Sequence, residues 1–199
     1  VYNRQVKKIF LLLLFVSNVA QASDVNLSWS NSLVYLPKKW LSTSIEKVNI
    51  DQQLPTVLYL HGCTGITQGN DVAWAKFISE LGYAVILPDS MSRKNRYSNC
   101  DPAIKGPTGR FPFAYIYREE EINYAVEQIK TLKWVDQDKV FLMGHSEGGI
   151  ATANTFNTFF KGYIISGWTC THKFNPSLDG IKISKEKPTL AVAFIDDSW

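Results

Sequence analysis

The chain has 199 residues with 21 Lys and Arg against 18 Asp and Glu. Three of the positive charges, Arg4, Lys7 and Lys8, precede any acid, so the remainder is formally neutral. A neutral chain with no basic run longer than Arg93-Lys94 lacks the electrostatic footprint of phosphate-backbone binding, which excludes nucleic acid as an expected partner. With 45% apolar and 13% aromatic residues it is not a disordered chain either.

Residues 1–22 read as a signal peptide: positive charge, an apolar run over residues 9–16, then small residues at Ala20 and Ala22 that fit cleavage after Ala22. The run is shorter than the roughly 20 residues a bilayer span needs, so no stable membrane insertion is expected after cleavage. The expected location is therefore periplasmic or secreted. About 177 residues follow, one domain's worth, expected as a single unit over 23–199.

Beyond the leader, weak strand signals over 32–36 and 45–50 predict an N-terminal hairpin. Nearly continuous apolar runs over 57–60, 83–87, 140–143, 162–165 and 190–195 predict strands buried on both faces. Between them, residues 71–81 carry apolar side chains at 74, 77, 78 and 81, and residues 115–134 carry them at 122, 125, 126, 129 and 132. Each set forms one stripe on a helix. Strands alternating with helices predict an α/β fold with a mostly parallel sheet covered on both faces. Two long connections, 90–113 and 168–188, each follow the carboxyl end of a strand, where open parallel sheets bind ligands, and are the expected walls of a substrate pocket.

Gly144-His145-Ser146-Glu147-Gly148 is a G-x-S-x-G pattern placed after the strand 140–143 and before a helical segment beginning near Glu147. A serine on a sharp strand-to-helix turn needs small neighbours so that the backbones can approach, and Gly144, Gly148 and Gly149 supply them. Ser146 is the candidate nucleophile for acyl transfer. That chemistry also needs donors aimed at a developing oxyanion, and the backbone N–H groups of Glu147 and Cys63 are the candidates. Cys63 lies in His61-Gly62-Cys63-Thr64-Gly65, the loop that closes the strand 57–60, and His61 is read as bracing that loop.

Together with residues 58–65, the stretch 82–90, the motif 144–149 and the late Asp196-Asp197-Ser198-Trp199, these segments resemble α/β-hydrolases of the dienelactone hydrolase-like group. The likeness runs from about residue 54 onward. Dienelactone hydrolases proper use a cysteine where this chain has Ser146, which favours a serine esterase-like reading. The resemblance implies a small ester, or a related acyl or lactone compound, as substrate, and neither metal nor organic cofactor. It implies an acid after the strand 190–195, Asp197 or alternatively Asp196, to orient a histidine beyond it. His61, His145 and His172 all precede that point, so the expected fold is one without its last strand and helix, with the base lying past Trp199. The alternative is a catalytically inactive, truncated relative that only binds a small ligand.

Other residues have weaker readings. Arg93, Arg96 and Arg110 in the long loop are either solvated charges or contacts for an acidic substrate. Arg118 either pairs locally on its helix or meets a substrate carboxylate. Of the three cysteines, Cys100 and Cys170 are expected on the same side of the sheet, and a disulfide between them is the candidate pairing.

Overall fold

The computed structural model describes residues 24–94, 96–100, 111–172 and 175–193. The expected leader 1–22, Arg110, Asp196 and Asp197 lie outside the described residues.

After a helical turn pair over 24–30 (α1), the chain forms β1 (Leu33–Tyr35), β2 (Thr43–Ser44), β3 (Leu54–Leu60), α2 (Ala73–Glu80), β4 (Ala84–Leu87), α3 (Phe111–Ile129), β5 (Val135–His145), α4 (Glu147–Asn154), β6 (Gly162–Ser166) and β7 (Thr189–Val192). The seven strands make one sheet in the order β2-β1-β4-β3-β5-β6-β7. Strands β3 to β7 run parallel, while β1 is antiparallel to both β2 and β4.

The two-residue period of the strands sorts the core into two layers. On one face Leu58, Leu60, Ile86 and Leu142 pack with Ile122, Ala125, Val126 and Ile129 of α3. On the other, Val57, Tyr59, Val85 and Leu87 pack with Ala75 and Ile78 of α2. The stripe read on α3 is therefore the buried one. That on α2 is rotated, since Phe77 and Leu81 are exposed and Ala75 and Ile78 face the sheet.

The hairpin is present but displaced. Its second strand is Thr43–Ser44, and Ile45–Lys47 is a 3-10 turn in place of the expected strand over 45–50. The three-residue spacing of Ile45 and Val48 suits that turn, and Val48 N–H donates to Ile45 O. Strand β5 starts five residues earlier than the apolar run, because Val135 pairs with Leu54 across an irregularity in the β3–β5 register. The carboxyl ends of β3 and β5 are adjacent in the middle of the sheet, with Leu60 beside Gly144. This adjacency places the two sequence motifs against each other.

Candidate functional site

Ser146 sits between β5 and α4 at φ 55°, ψ −117°, a backbone region that side-chain-bearing residues rarely occupy. The surrounding contacts hold it there. A Cβ on Gly144 would stand 2.0 Å from Gly148 O, one on Gly148 would stand 2.1 Å from Leu60 O, and one on Gly149 would stand 2.8 Å from Ser166 O. All three contacts are with backbone, which has no rotamer to give way, so glycine is required at each position. Ser146 N–H donates to Ser166 O and Ser146 O accepts from Ile150 N–H, stitching the turn to β6 and α4.

The loop after β3 packs directly on this turn: a Cβ on Gly62 would lie 3.5 Å from Ser146 Cβ. Its orientation follows from buried side chains beneath it. His61 is wholly buried; its Nε2 accepts from Ser90 N–H at 3.0 Å, which fixes the proton on Nδ1, and Nδ1–H donates to Gly62 O at 2.7 Å. Arg118 Nη2 donates to His61 O at 2.8 Å. Because the 62–63 peptide is trans, a Gly62 carbonyl drawn down onto His61 turns the Cys63 N–H to the opposite side of the loop. Burial first, and then the Arg118 charge, push the His61 pKa well below its ordinary value, so the ring is a neutral prop.

The other candidate donor, the Glu147 amide, is the first N–H of α4, a position without an intrahelical acceptor. The Glu147 side chain points inward and is buried. It accepts from Arg118 Nε at 3.0 Å, from Asn99 Nδ2 at 2.8 Å and from Arg96 Nη2. Arg118 also reaches Glu121 at 3.3 Å, and Glu121 accepts from Ser90 Oγ at 2.7 Å. Glu121 has its pKa raised by burial, with the Arg118 charge opposing that rise. The group is thus a buried, mutually bonded cluster drawn from four segments of the chain. Removing one member of such a pairing typically costs roughly 3 to 5 kcal/mol, since its partner is left buried and unpaired.

This overturns the readings of Arg93 and Arg96 as solvated charges or substrate contacts, and of Arg118 as a substrate contact, while Arg110 lies outside the described residues. Arg118 has no exposed surface, Arg96 is buried against Glu147, and Arg93 is buried against Glu120 and Asp24. The local pairing read for Arg118 holds in part, since Glu121 is one helical turn away on α3.

The cysteines pair differently from the expectation. The disulfide joins Cys63 to Cys100, with Cα atoms 5.5 Å apart, and Cys170 is a free thiol. A Cys100–Cys170 bond is excluded because Cys100 is committed to Cys63, beside which Ser98 Oγ donates to Cys63 O at 2.8 Å.

The remaining histidines are engaged as well. His145 Nδ1 lies 3.4 Å from Ser166 Oγ, with its ring over Gly167. His172 Nδ1 accepts from Asn175 N–H at 2.9 Å, and its ring meets Tyr115 edge-on. None of these contacts is with Ser146. A groove of about 610 Å³ runs between α3, α4 and residues 175–182, lined by Tyr115, Glu119, Asn123, Asn154, Ser177 and Lys182 among others. The expected loop 168–188 thus walls a groove that does not include Ser146 in its lining. Among the described residues, no helix is long and apolar enough to cross a membrane.

No protein-family profile matches the chain. Solved structures do resemble it. A protein of Klebsiella pneumoniae subsp. pneumoniae assigned as a dienelactone hydrolase aligns with a TM-score of 0.51 at 15% identity, over 80% of this chain and 65% of that one. Est1E from Butyrivibrio proteoclasticus aligns with a TM-score of 0.47 at 18% identity, over 73% of this chain and 54% of that one. The chain therefore spans between about half and two thirds of the length of these two proteins. It has the α/β-hydrolase fold, with a mostly parallel sheet and helices on both faces.

Proposed function

We propose that this protein is an exported serine hydrolase that cleaves a small ester, or a related acyl or lactone compound, through an acyl-enzyme on Ser146. The observation that carries this reading is the φ 55° backbone of Ser146 inside a turn where three glycines are sterically required. A turn that merely capped a helix would need neither the strain nor the close approach. In the proposed reaction Ser146 Oγ attacks the acyl carbonyl, and the negative charge that develops on the carbonyl oxygen is met by the N–H groups of Cys63 and Glu147. The alcohol leaves with the proton taken from Ser146, and water then releases the acid. The proton carrier in this reading is a histidine oriented by Asp197, or by Asp196. His61 is unsuited to that role, because both of its ring nitrogens are bonded beneath the loop. Neither metal nor organic cofactor takes part in the proposed steps. Export is supported by the leader-like N-terminus and by the Cys63–Cys100 bond, a linkage that persists in oxidising compartments.

The engagement of all three histidines away from Ser146 favours one rival, a non-catalytic relative that binds a small ligand. A fluorophosphonate probe separates the two. Covalent labelling of the full chain that disappears in Ser146→Ala, together with hydrolysis of p-nitrophenyl acetate lost in the same variant, is expected. A folded chain left unlabelled at Ser146 gives the rival reading the field.

A further inference from the structure

The two residues whose amides form the proposed oxyanion site are both contacted by a single short segment, residues 96–100. One arm reaches Cys63: the disulfide from Cys100 fixes its side chain, and Ser98 Oγ accepts the Cys100 N–H at 3.2 Å while donating to Cys63 O at 2.8 Å. The other arm reaches Glu147: Asn99 Nδ2 donates to Glu147 Oε2 at 2.8 Å, and Arg96 Nη2 donates to Oε1. Asn99 and Arg96 are both buried, so neither contact is diluted by solvent. The two arms sit on neighbouring residues, so one short stretch of backbone links the residues that carry the two amides.

We propose that segment 96–100 is a reducible brace that sets the separation of the Cys63 and Glu147 amides, with Asn99 and the Cys63–Cys100 disulfide as its positioning elements. This rests on the hydrolase reading above. Neither element touches the reacting atoms. Each acts through the donor it holds, so its loss weakens transition-state binding more than substrate binding. The brace is redox-sensitive through a dithiol reductant. Two electrons and two protons pass to the cystine, Cys63 and Cys100 become thiols, and the dithiol is oxidised to its own disulfide.

The test uses the full chain and p-nitrophenyl acetate. Cys63→Ser/Cys100→Ser and Asn99→Ala are each expected to lower kcat about tenfold with KM within about twofold, a fraction of the 10²–10³ lost when an oxyanion donor is removed outright. Combined, they are expected to lower kcat by less than the product of the two single effects, since both arms sit on one segment and loss of either already uncouples the two amides. Asn99→Gln, which keeps the amide, is expected to restore part of the rate, and Cys170→Ala is expected to change nothing. Affinity for phenylboronic acid, whose tetrahedral adduct mimics the transition state, should fall in step with kcat.

Should the double serine variant fail to fold, reduction of the native chain with dithiothreitol, under conditions that keep its circular dichroism native, reads the same arm. Reoxidation should then return the rate. Unchanged kcat on reduction and in Asn99→Ala, or a change confined to KM, overturns the brace. Activity that survives Ser146→Ala defeats the hydrolase reading instead. Amide hydrogen exchange then still judges the brace, which requires the Cys63 amide to exchange faster on reduction and the Glu147 amide to exchange faster in Asn99→Ala.

Discussion

The middle of the sheet and its β7 margin are built on different principles. At the carboxyl ends of β3 and β5, backbone touches backbone: the Gly148 position abuts Leu60 O, Ser146 is held at a positive φ, and below them Arg118, Arg96, Glu147 and Glu121 are bonded out of solvent. At β7 all four residues are exposed, including Leu190 at 56% and Val192 at 42%. Residues 179–192 contain no buried position. The comparison teaches that geometry in this protein is concentrated. The centre has almost no freedom to accept a new atom or an unpaired charge, whereas among the described residues the β7 side chains are left largely uncovered.

The sharpest way to break that contrast is at Gly148. An alanine there puts Cβ 2.1 Å from a carbonyl oxygen of β3, and the expected result is loss of the folded state or destabilisation by at least about 3 kcal/mol, measured by urea unfolding. A soluble, native-like Gly148→Ala chain with an unchanged midpoint shows the centre to be more pliant than its contacts imply.

A smaller effect is expected from acid. The folded-state pKa of His61 lies well below its ordinary value, while the unfolded value is near 6.5. Below that pH the unfolded chain binds a proton that the folded chain does not. The stability held by the neutral ring is therefore fully present above about pH 6.5 and is lost as pH falls toward the folded pKa, by up to about 1.4 kcal/mol per pH unit. Glu121, with its pKa raised by burial, contributes the opposite slope as pH falls through its folded-state pKa. Subtracting the profile of His61→Gln from that of the native chain removes the Glu121 contribution and isolates the imidazole. Parallel profiles between pH 7 and 5 rule out a proton-excluding role for the ring. The smallest effect is expected at the margin of the described residues, where Leu190→Thr in the 199-residue chain should shift stability by no more than about 0.5 kcal/mol. A larger loss makes β7 part of the core.

Much of the centre was legible as local pattern. Apolar runs located β3 to β6, the spacing at 122, 125, 126 and 129 located α3, and the glycines around Ser146 announced a crowded turn. Each of these signals is carried by residues close together in the chain. What was not legible is what the chain brings together from afar. Cys63 meets a cysteine 37 residues on, and Glu147 is met by Asn99, Arg96 and Arg118 from two other segments. A charged side chain in a loop looks the same in sequence whether it is solvated or buried, so Arg93 and Arg96 misled. The polar stretch 136–139 hid the early start of β5, because strand pairing there follows from Leu54 opposite Val135 and not from an apolar run. The acid candidates Asp196 and Asp197 lie outside the described residues, and their assignment stands on resemblance alone.

The exposure of residues 179–187 also sets where the covalent chain can be opened. Lys182 and Lys185 lie on a stretch of exposed and half-buried residues, anchored by Lys182 N–H to Ala153 O and by Lys187 Nζ to Thr158 O and Phe160 O. Loop segments of this kind are where proteases cut first. A single tryptic nick there severs β7 from the rest yet leaves Cys63, Cys100, Ser146 and Glu147 on one continuous fragment. The disulfide, the strained turn and the buried charges would travel together. Limited digestion followed by mass spectrometry therefore offers a physical dissection of the molecule along the line that separates its rigid centre from its tolerant edge.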